Sequence, residues 1–302
     1  MYSGIMKPIL WLDSEHGAHH GSKVHPESPD RLNAIRSMLM QLNPKSFVLR
    51  ELTAPLPSVV PSVEHRTDTW FLDKGDTYCT PYTSILLKRG RQMIEDATRE
   101  LALSRTNCGF VFIRPPGHHA NASGDASGFC HQNNVWIAVE QLKKHGFHSI
   151  GIFDWDAHHG DGTEDCVRMA NDPSIRFASM HAYGPGIYPG TGGPSSSTDT
   201  ILNLPLPVGT DSEHFVGCFT SEVLPWLAKG KPDIVIISAG YDGHEKDPMA
   251  LLQLRENTYA YMSSQLTLLD CPVLFLLEGG YNPAVLASCV KATLASWLTS
   301  SS

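Results

Sequence analysis

The sequence predicts an α/β protein in three layers, a mostly parallel central sheet with helices on both faces. Three observations carry this reading. Short runs rich in β-branched and other apolar residues recur, each followed by a glycine-rich or polar turn and then by a segment of helical periodicity. The runs are largely apolar rather than strictly alternating, as strands covered on both faces require. Finally, the histidines, carboxylates and tyrosines gather just after the runs, where parallel sheets bind ligands.

Taken in order, the expected strands are Ile9 to Leu12, Gly109 to Ile113, Ile150 to Phe153, Ile175 to Ser179, Ile201 to Leu204, Ile234 to Ser238 and Val273 to Leu277. Helical periodicity fits Arg31 to Leu42, Ser84 to Leu103, Asn134 to His145, Glu213 to Leu227, Leu251 to Leu269 and Pro283 to Leu298. With 302 residues, 41% hydrophobic and 18% charged, the chain can bury a large core, and we expect one domain over residues 1–302.

Composition also excludes whole classes of function. The 23 basic and 31 acidic residues give −8 with neutral histidines, so no basic face for nucleic acid is expected. Apolar runs such as Val273 to Leu277 are far short of the roughly 18 residues of a membrane span. Met1 to Leu12 lacks a long apolar stretch ending in a cleavage site, so no secretory signal is expected. The seven cysteines are scattered and form no CxxC, which favours reduced thiols and a cytoplasmic location. Histidine is the anomaly: there are 15, and His19-His20, His118-His119 and His158-His159 are adjacent pairs.

Four apolar runs lead into polar clusters. Gly109 to Ile113 is followed by Arg114-Pro-Pro-Gly-His118-His119, and Ile150 to Phe153 by Asp154-Trp-Asp156-Ala-His158-His159-Gly-Asp161. Ile234 to Ser238 leads to Ala-Gly-Tyr-Asp242, and Val273 to Leu277 to Glu278-Gly-Gly-Tyr281. One shared site at the sheet edge is the economical explanation.

Asp154, Asp156 and His158 are spaced by two, so an extended chain points them the same way. Asp156 and His158, completed by Asp242 from another strand, make a donor set for zinc with an open position for water. A solvated loop with helix-capping aspartates is the alternative for this motif taken alone; the three companion clusters argue against it. His118 and His119 follow a rigid Pro-Pro-Gly turn and suit proton transfer, with Asp154 and Asp161 as carboxylates left over to orient them. No strand leads into His19-His20, and that pair is expected at a rim or surface loop. The Gly-Gly step before Tyr281 permits a sharp turn that aims the phenol over the metal as a donor to a developing oxyanion.

Together these residues resemble the zinc-dependent histone deacetylase family of the arginase/deacetylase fold, most closely its class II branch and the bacterial histone deacetylase-like amidohydrolases. The resemblance runs in order from His25-Pro-Glu-Ser-Pro-Asp-Arg31-Leu through RPPGHHA, GFCHQNN, DWDAHHGDGTE, SMH, YPGTGG and SAGYDGHEKDP to LEGGYN. It implies zinc on Asp156, His158 and Asp242, Tyr281 polarising the substrate carbonyl, and His119, oriented by Asp161, as general base and acid. His118, paired with Asp154, is then its electrostatic companion. It further implies a structural potassium ion held by Asp154, by main-chain oxygens of Asp156 and His158, and by the Ser179-Met180 turn. Gly128, Phe129 and Tyr188 match the lining of an acyl-lysine tunnel, and Asp76 a rim residue that holds the substrate backbone.

Two departures narrow the reading. Gly160 and Gly240 stand where arginases carry aspartates for a second metal, leaving one catalytic metal here. Met249 follows Asp247-Pro248 where class II polyamine deacetylases carry a Glu, which weakens a polyamine assignment. The expected activity is hydrolysis of N-acetyl-lysine, or another acyl-lysine, in a peptide or protein. Its rivals are an acetylpolyamine or small acyl-amide hydrolase and a catalytically weak acyl-lysine reader; the presence of Tyr281 argues against the reader.

Overall fold

The structure, a computed structural model, describes residues 6–19, 25–55, 70–73, 75–249 and 251–298. In chain order its elements are β1 (Ile9–Asp13), α1 (Asp30–Leu39), β2 (Val48–Leu52), β3 (Trp70–Leu72), β4 (Thr77–Cys79), α2 (Thr83–Ala102), β5 (Cys108–Phe112), α3 (Asn134–Lys144) and β6 (Ile150–Asp154). There follow α4 (Asp161–Ala170), β7 (Ile175–Ala182), β8 (Ile201–Leu206), α5 (Ser212–Cys218), α6 (Leu224–Lys229), β9 (Ile234–Ala239), α7 (Glu256–Leu266), β10 (Val273–Leu277) and α8 (Pro283–Leu294).

Eight strands form one sheet in the order β2-β1-β5-β10-β9-β6-β7-β8. Every neighbouring pair in it is parallel. This is the layered α/β architecture expected, with a sheet wholly rather than mostly parallel; β3 and β4 form a separate antiparallel pair. Alternate residues of each strand enter opposite cores. Val235, Ile237 and Phe275 pack with α1, α5, α7 and α8 through residues such as Leu32, Phe215, Met262 and Leu286. Ile234, Ile236, Leu274 and Leu276 pack on the other face with Ile94, Ala97, Val139 and Val167 of α2, α3 and α4. Covering both faces explains why the central strands, such as β9 and β10, are apolar on both sides.

The topology creates the crevice. β5 and β6 follow one another in sequence but lie apart in the sheet, because β10 and β9 insert between them. Connections leaving those four strands therefore diverge at their carboxyl ends, and such a switch point is where open sheets bind ligands.

Several boundaries differ from expectation for local reasons. The helix expected from Leu251 begins only at Glu256, because Gln253 and Leu254 bridge in strand fashion to Asp211 and His244. The helix expected from Glu213 to Leu227 is interrupted by a π-helical turn, Phe219–Val223, just before Pro225, whose ring lacks the N–H a regular turn would use. The helix expected to reach Leu298 ends at Leu294.

Candidate active site

β6 ends at Asp154, and the chain then bends over residues 156–158 instead of staying extended as expected, because Asp154 Oδ1 and Asp156 Oδ1 accept the N–H groups of Asp156 and His158; the bend still delivers three polar side chains to the crevice. From the end of β9, Asp242 completes a buried group with Asp156 and His158, in which all three ligand atoms lie within 4.8 Å of one another. His158 Nδ1 is 2.8 Å from Asp242 Oδ2 and 3.1 Å from Asp156 Oδ1. The second oxygens are anchored: Ala157 N–H donates to Asp242 Oδ1 at 2.9 Å and Gly279 N–H to Asp156 Oδ2 at 2.9 Å. A Cβ at Gly279 would come within 2.6 Å of both carboxylates, so the close approach of backbone requires glycine there.

The trio fits a divalent cation. Two buried carboxylates and one imidazole nitrogen leave an uncompensated negative charge at a single point, which is costly without a cation. Burial opposes a charged His158, but the Asp242 and Asp156 carboxylates outweigh it and raise its pKa to about 10. Donor types and number match a zinc site with an open position. Among the described residues, His118, Cys130 and Glu278 form a second close trio, but it shares His118 with the pairs below, and burial holds the Cys130 thiol well above its ordinary pKa.

The Pro115-Pro116-Gly117 turn after β5 brings both histidines beside this trio. His118 Nδ1 meets Asp154 Oδ2 at 2.9 Å, and His119 Nδ1 meets Asp161 Oδ1 at 2.7 Å. Each ring thus has one nitrogen committed to a carboxylate. The rings lie 4.0 Å apart between centroids, and His118 Nε2 is 3.8 Å from Asp156 Oδ1. Burial favours neutral His118, but Asp154 and Asp156 outweigh it and hold its pKa well above the usual range. Burial and then the neighbouring His118 pull His119 down to about 4 against the pull of Asp161. The environments therefore drive the two bases in opposite directions.

Beyond β10, Gly280 takes a φ of 115°, open to glycine alone without strain, and turns Tyr281 back over the crevice. Its ring stands perpendicular to Phe129 at 5.6 Å, and Arg31 lies 5.0 Å over it. No described protein group hydrogen-bonds its hydroxyl. Burial and then the Asp242 carboxylate push that phenol well above its ordinary pKa, so it remains a donor.

The residues expected to line a tunnel come to the same place. A Cβ on Gly128 would meet His119 Cδ2 at 2.5 Å and Tyr188 Cε1 at 3.0 Å. Phe129 is buried, whereas Tyr188 is half-open to solvent and stands edge-on to His119 at 4.9 Å. Asp76 is exposed, and its main-chain oxygen meets His25 Nε2 at 3.2 Å, while the His25 ring packs on Phe129 at 4.7 Å. Strand register sets Ser179 of β7 opposite Asp154, and both Ser179 and Met180 are fully buried.

One expectation is overturned. His19 is not at a rim or surface: it is 1% exposed, bonded through Nδ1 to Thr83 Oγ1 at 2.9 Å and stacked on Tyr78 at 4.5 Å. The short β3-β4 pair, too brief to leave a periodic signal, carries Tyr78 over it. His20 lies outside the described residues.

Buried carboxylates that sequence reasoning left without a role hold the segments around this crevice in place. Glu27 takes Arg114 on both oxygens, with Nη2 at 2.7 Å, and Arg31 Nη1 at 3.1 Å. Arg31 in turn donates to the main-chain oxygens of Glu278 and Gly280. Glu278 Oε2 accepts from Gly117 N–H at 2.6 Å and His118 N–H at 3.1 Å, and burial pushes its pKa up to about 7. The charged residues inside His25 to Arg31 and the Glu of LEGGYN were the available signal.

Residues 25–297 match the family profile described as histone deacetylase domain. The chain is 38% identical over 318 residues to histone deacetylase 10, chloroplastic, of Oryza sativa subsp. japonica, covering 92% of this chain and 71% of that protein. It is 35% identical to histone deacetylase 14, chloroplastic, of Arabidopsis thaliana, covering 90% and 72%. The crystal structure of the HDA15 HD domain superposes with a TM-score of 0.84 at 28% identity, covering 98% of this chain and 91% of that one.

Proposed function

Because this chain belongs to the histone deacetylase family, and so to a family of deacetylating hydrolases, we propose that it hydrolyses the acyl amide of acetyl-lysine in peptides or proteins. The observation that carries the proposal is the convergence of two histidine–carboxylate pairs, and of a phenol with no hydrogen-bond partner among the described residues, on the Asp156, His158 and Asp242 group. Those three residues would hold a zinc ion. When bound, it supplies Lewis acidity that makes an attacking water easier to deprotonate.

The remaining chemistry belongs to the chain. His119, with Nδ1 tied to Asp161, has Nε2 free to accept a proton from the attacking water and to return it to the leaving amine. His118, tied to Asp154, is the electrostatic companion at 3.8 Å from Asp156. The Tyr281 hydroxyl donates to the carbonyl oxygen as negative charge develops on it. Acylation removes the lysine charge, so the aliphatic stem can pass between Phe129 and Tyr188, with Gly128 leaving room beside His119. Asp76 at the rim would hold the substrate backbone. A potassium ion is assigned by resemblance to Asp154, the main-chain oxygens of Asp156 and His158, and the Ser179-Met180 turn.

No helix among the described residues is long and apolar enough to cross a membrane. All seven cysteines are unpaired thiols, which supports a reducing compartment and, in our reading, the cytoplasm.

Tyr281→Phe tests the mechanism, since it removes one hydroxyl and leaves the ring, the turn and the ligands. The kcat on an acetyl-lysine peptide should fall by about 10² to 10³, as for a lost oxyanion donor, with a smaller change in KM and full zinc content. A trifluoroacetyl-lysine substrate, with its more electrophilic carbonyl, should lose less. Near wild-type turnover with full zinc would place the phenol outside the reaction.

A further inference from the structure

Among the described residues no group hydrogen-bonds the Tyr281 phenol, and it follows two glycines, so neither its hydroxyl nor the strand end holds it in place. Its main chain is held from the loop after β9. Asp247, only 4% exposed, accepts Tyr281 N–H at 2.6 Å and Asn282 N–H at 3.2 Å on one oxygen, and Met249 N–H at 3.0 Å on the other. Asn282 repays the contact by donating from Nδ2 to the Lys246 carbonyl at 3.0 Å, and its own side-chain oxygen caps α8 at Val285 N–H, 3.3 Å away. Across the turn, Arg31 Nε donates to Gly280 O at 2.6 Å. The loop that carries Asp247 is also the one that carries Asp242.

From this geometry we infer that Asp247 is a positioning residue for the reaction, a buried carboxylate brace that fixes the Tyr281 main chain and so aims the phenol at the site defined by Asp242. The inference rests on the proposed role of Tyr281. A carboxylate suits the task because one oxygen can accept two adjacent N–H groups, which neutral side chains of similar size do less well. Asp247 touches neither substrate nor metal in this account; it acts through Tyr281 alone.

A double-mutant cycle tests it. With zinc content measured in every variant, Asp247→Ala should lower kcat by about 10²-fold, the scale of a misplaced reacting group, with little change in KM. Asp247→Asn, whose amide oxygen can still accept, should lose less. In the Tyr281→Phe background, Asp247→Ala should cost almost nothing further, because the group it aims is gone. Deuterium uptake by the peptide containing Tyr281 and Asn282 should rise in Asp247→Ala. An impaired Tyr281→Phe enzyme in which Asp247→Ala still costs its full factor would overturn the brace while leaving the mechanism standing, as would loss of zinc in parallel with kcat or unchanged deuterium uptake. Full activity of Tyr281→Phe would instead overturn the mechanism and the brace with it.

Discussion

Asp242→Ala should purify without a stoichiometric divalent ion and should hydrolyse no acyl-lysine above background. Asp242 is the sole member of the metal-fitting group that comes from β9; Asp156 and His158 both come from the extension of β6. Removing it leaves two donors two residues apart, too few to close a zinc site. It also removes the acceptor for Ala157 N–H, 2.9 Å away, so the β6 extension loses an anchor. Metal analysis and turnover should therefore fail together while circular dichroism stays that of the folded chain. Stoichiometric zinc in the purified variant would assign the third ligand to another residue.

His119→Ala separates proton transfer from metal binding. Among the described residues the ring hydrogen-bonds only Asp161, through Nδ1, and it lies 6.1 Å from the His158 ring, so its loss spares the ligand set. Zinc content should stay at one per chain while kcat falls by about 10² to 10⁴, the usual contribution of a positioned acid–base group. His118→Ala should be milder, since the part proposed for it is electrostatic and indirect. A His118 variant deader than the His119 variant would reverse the division of labour.

The way particular residues read in the sequence explains how much of this was legible. Seven of the sheet strands announced themselves as apolar runs, but β2 did not: Val48–Leu52 contains Arg50 and Glu51, as befits an edge strand with one side open. The strand-end placement of Asp156, His158, Asp242 and Tyr281 pointed to one crevice, and the structure does bring Asp156, His158 and Asp242 together there, because a strand end fixes where the chain emerges from the sheet. Gly128, Phe129 and Tyr188 entered as proposed tunnel residues only through resemblance, since nothing in their local sequence says what they face. Glu27, Asp247 and Glu278 were opaque as supports: their partners Arg114, Tyr281 and Gly117 are 87, 34 and 161 residues distant, and no periodicity reports a contact at that range. His19 misled for the same reason, its cover being supplied by Tyr78 and Thr83.

The central claim, that this is a metal-dependent hydrolase of acetyl-lysine amides, is met most directly by measuring acetate release from a panel of acetyl-lysine peptides and acetylated polyamines. The protein would carry one equivalent of zinc, with its chelator-stripped form alongside. The account predicts turnover of peptides above polyamines, lost on stripping and restored by zinc. A polyamine rate well above every peptide, or undiminished peptide turnover by the stripped protein, would contradict it.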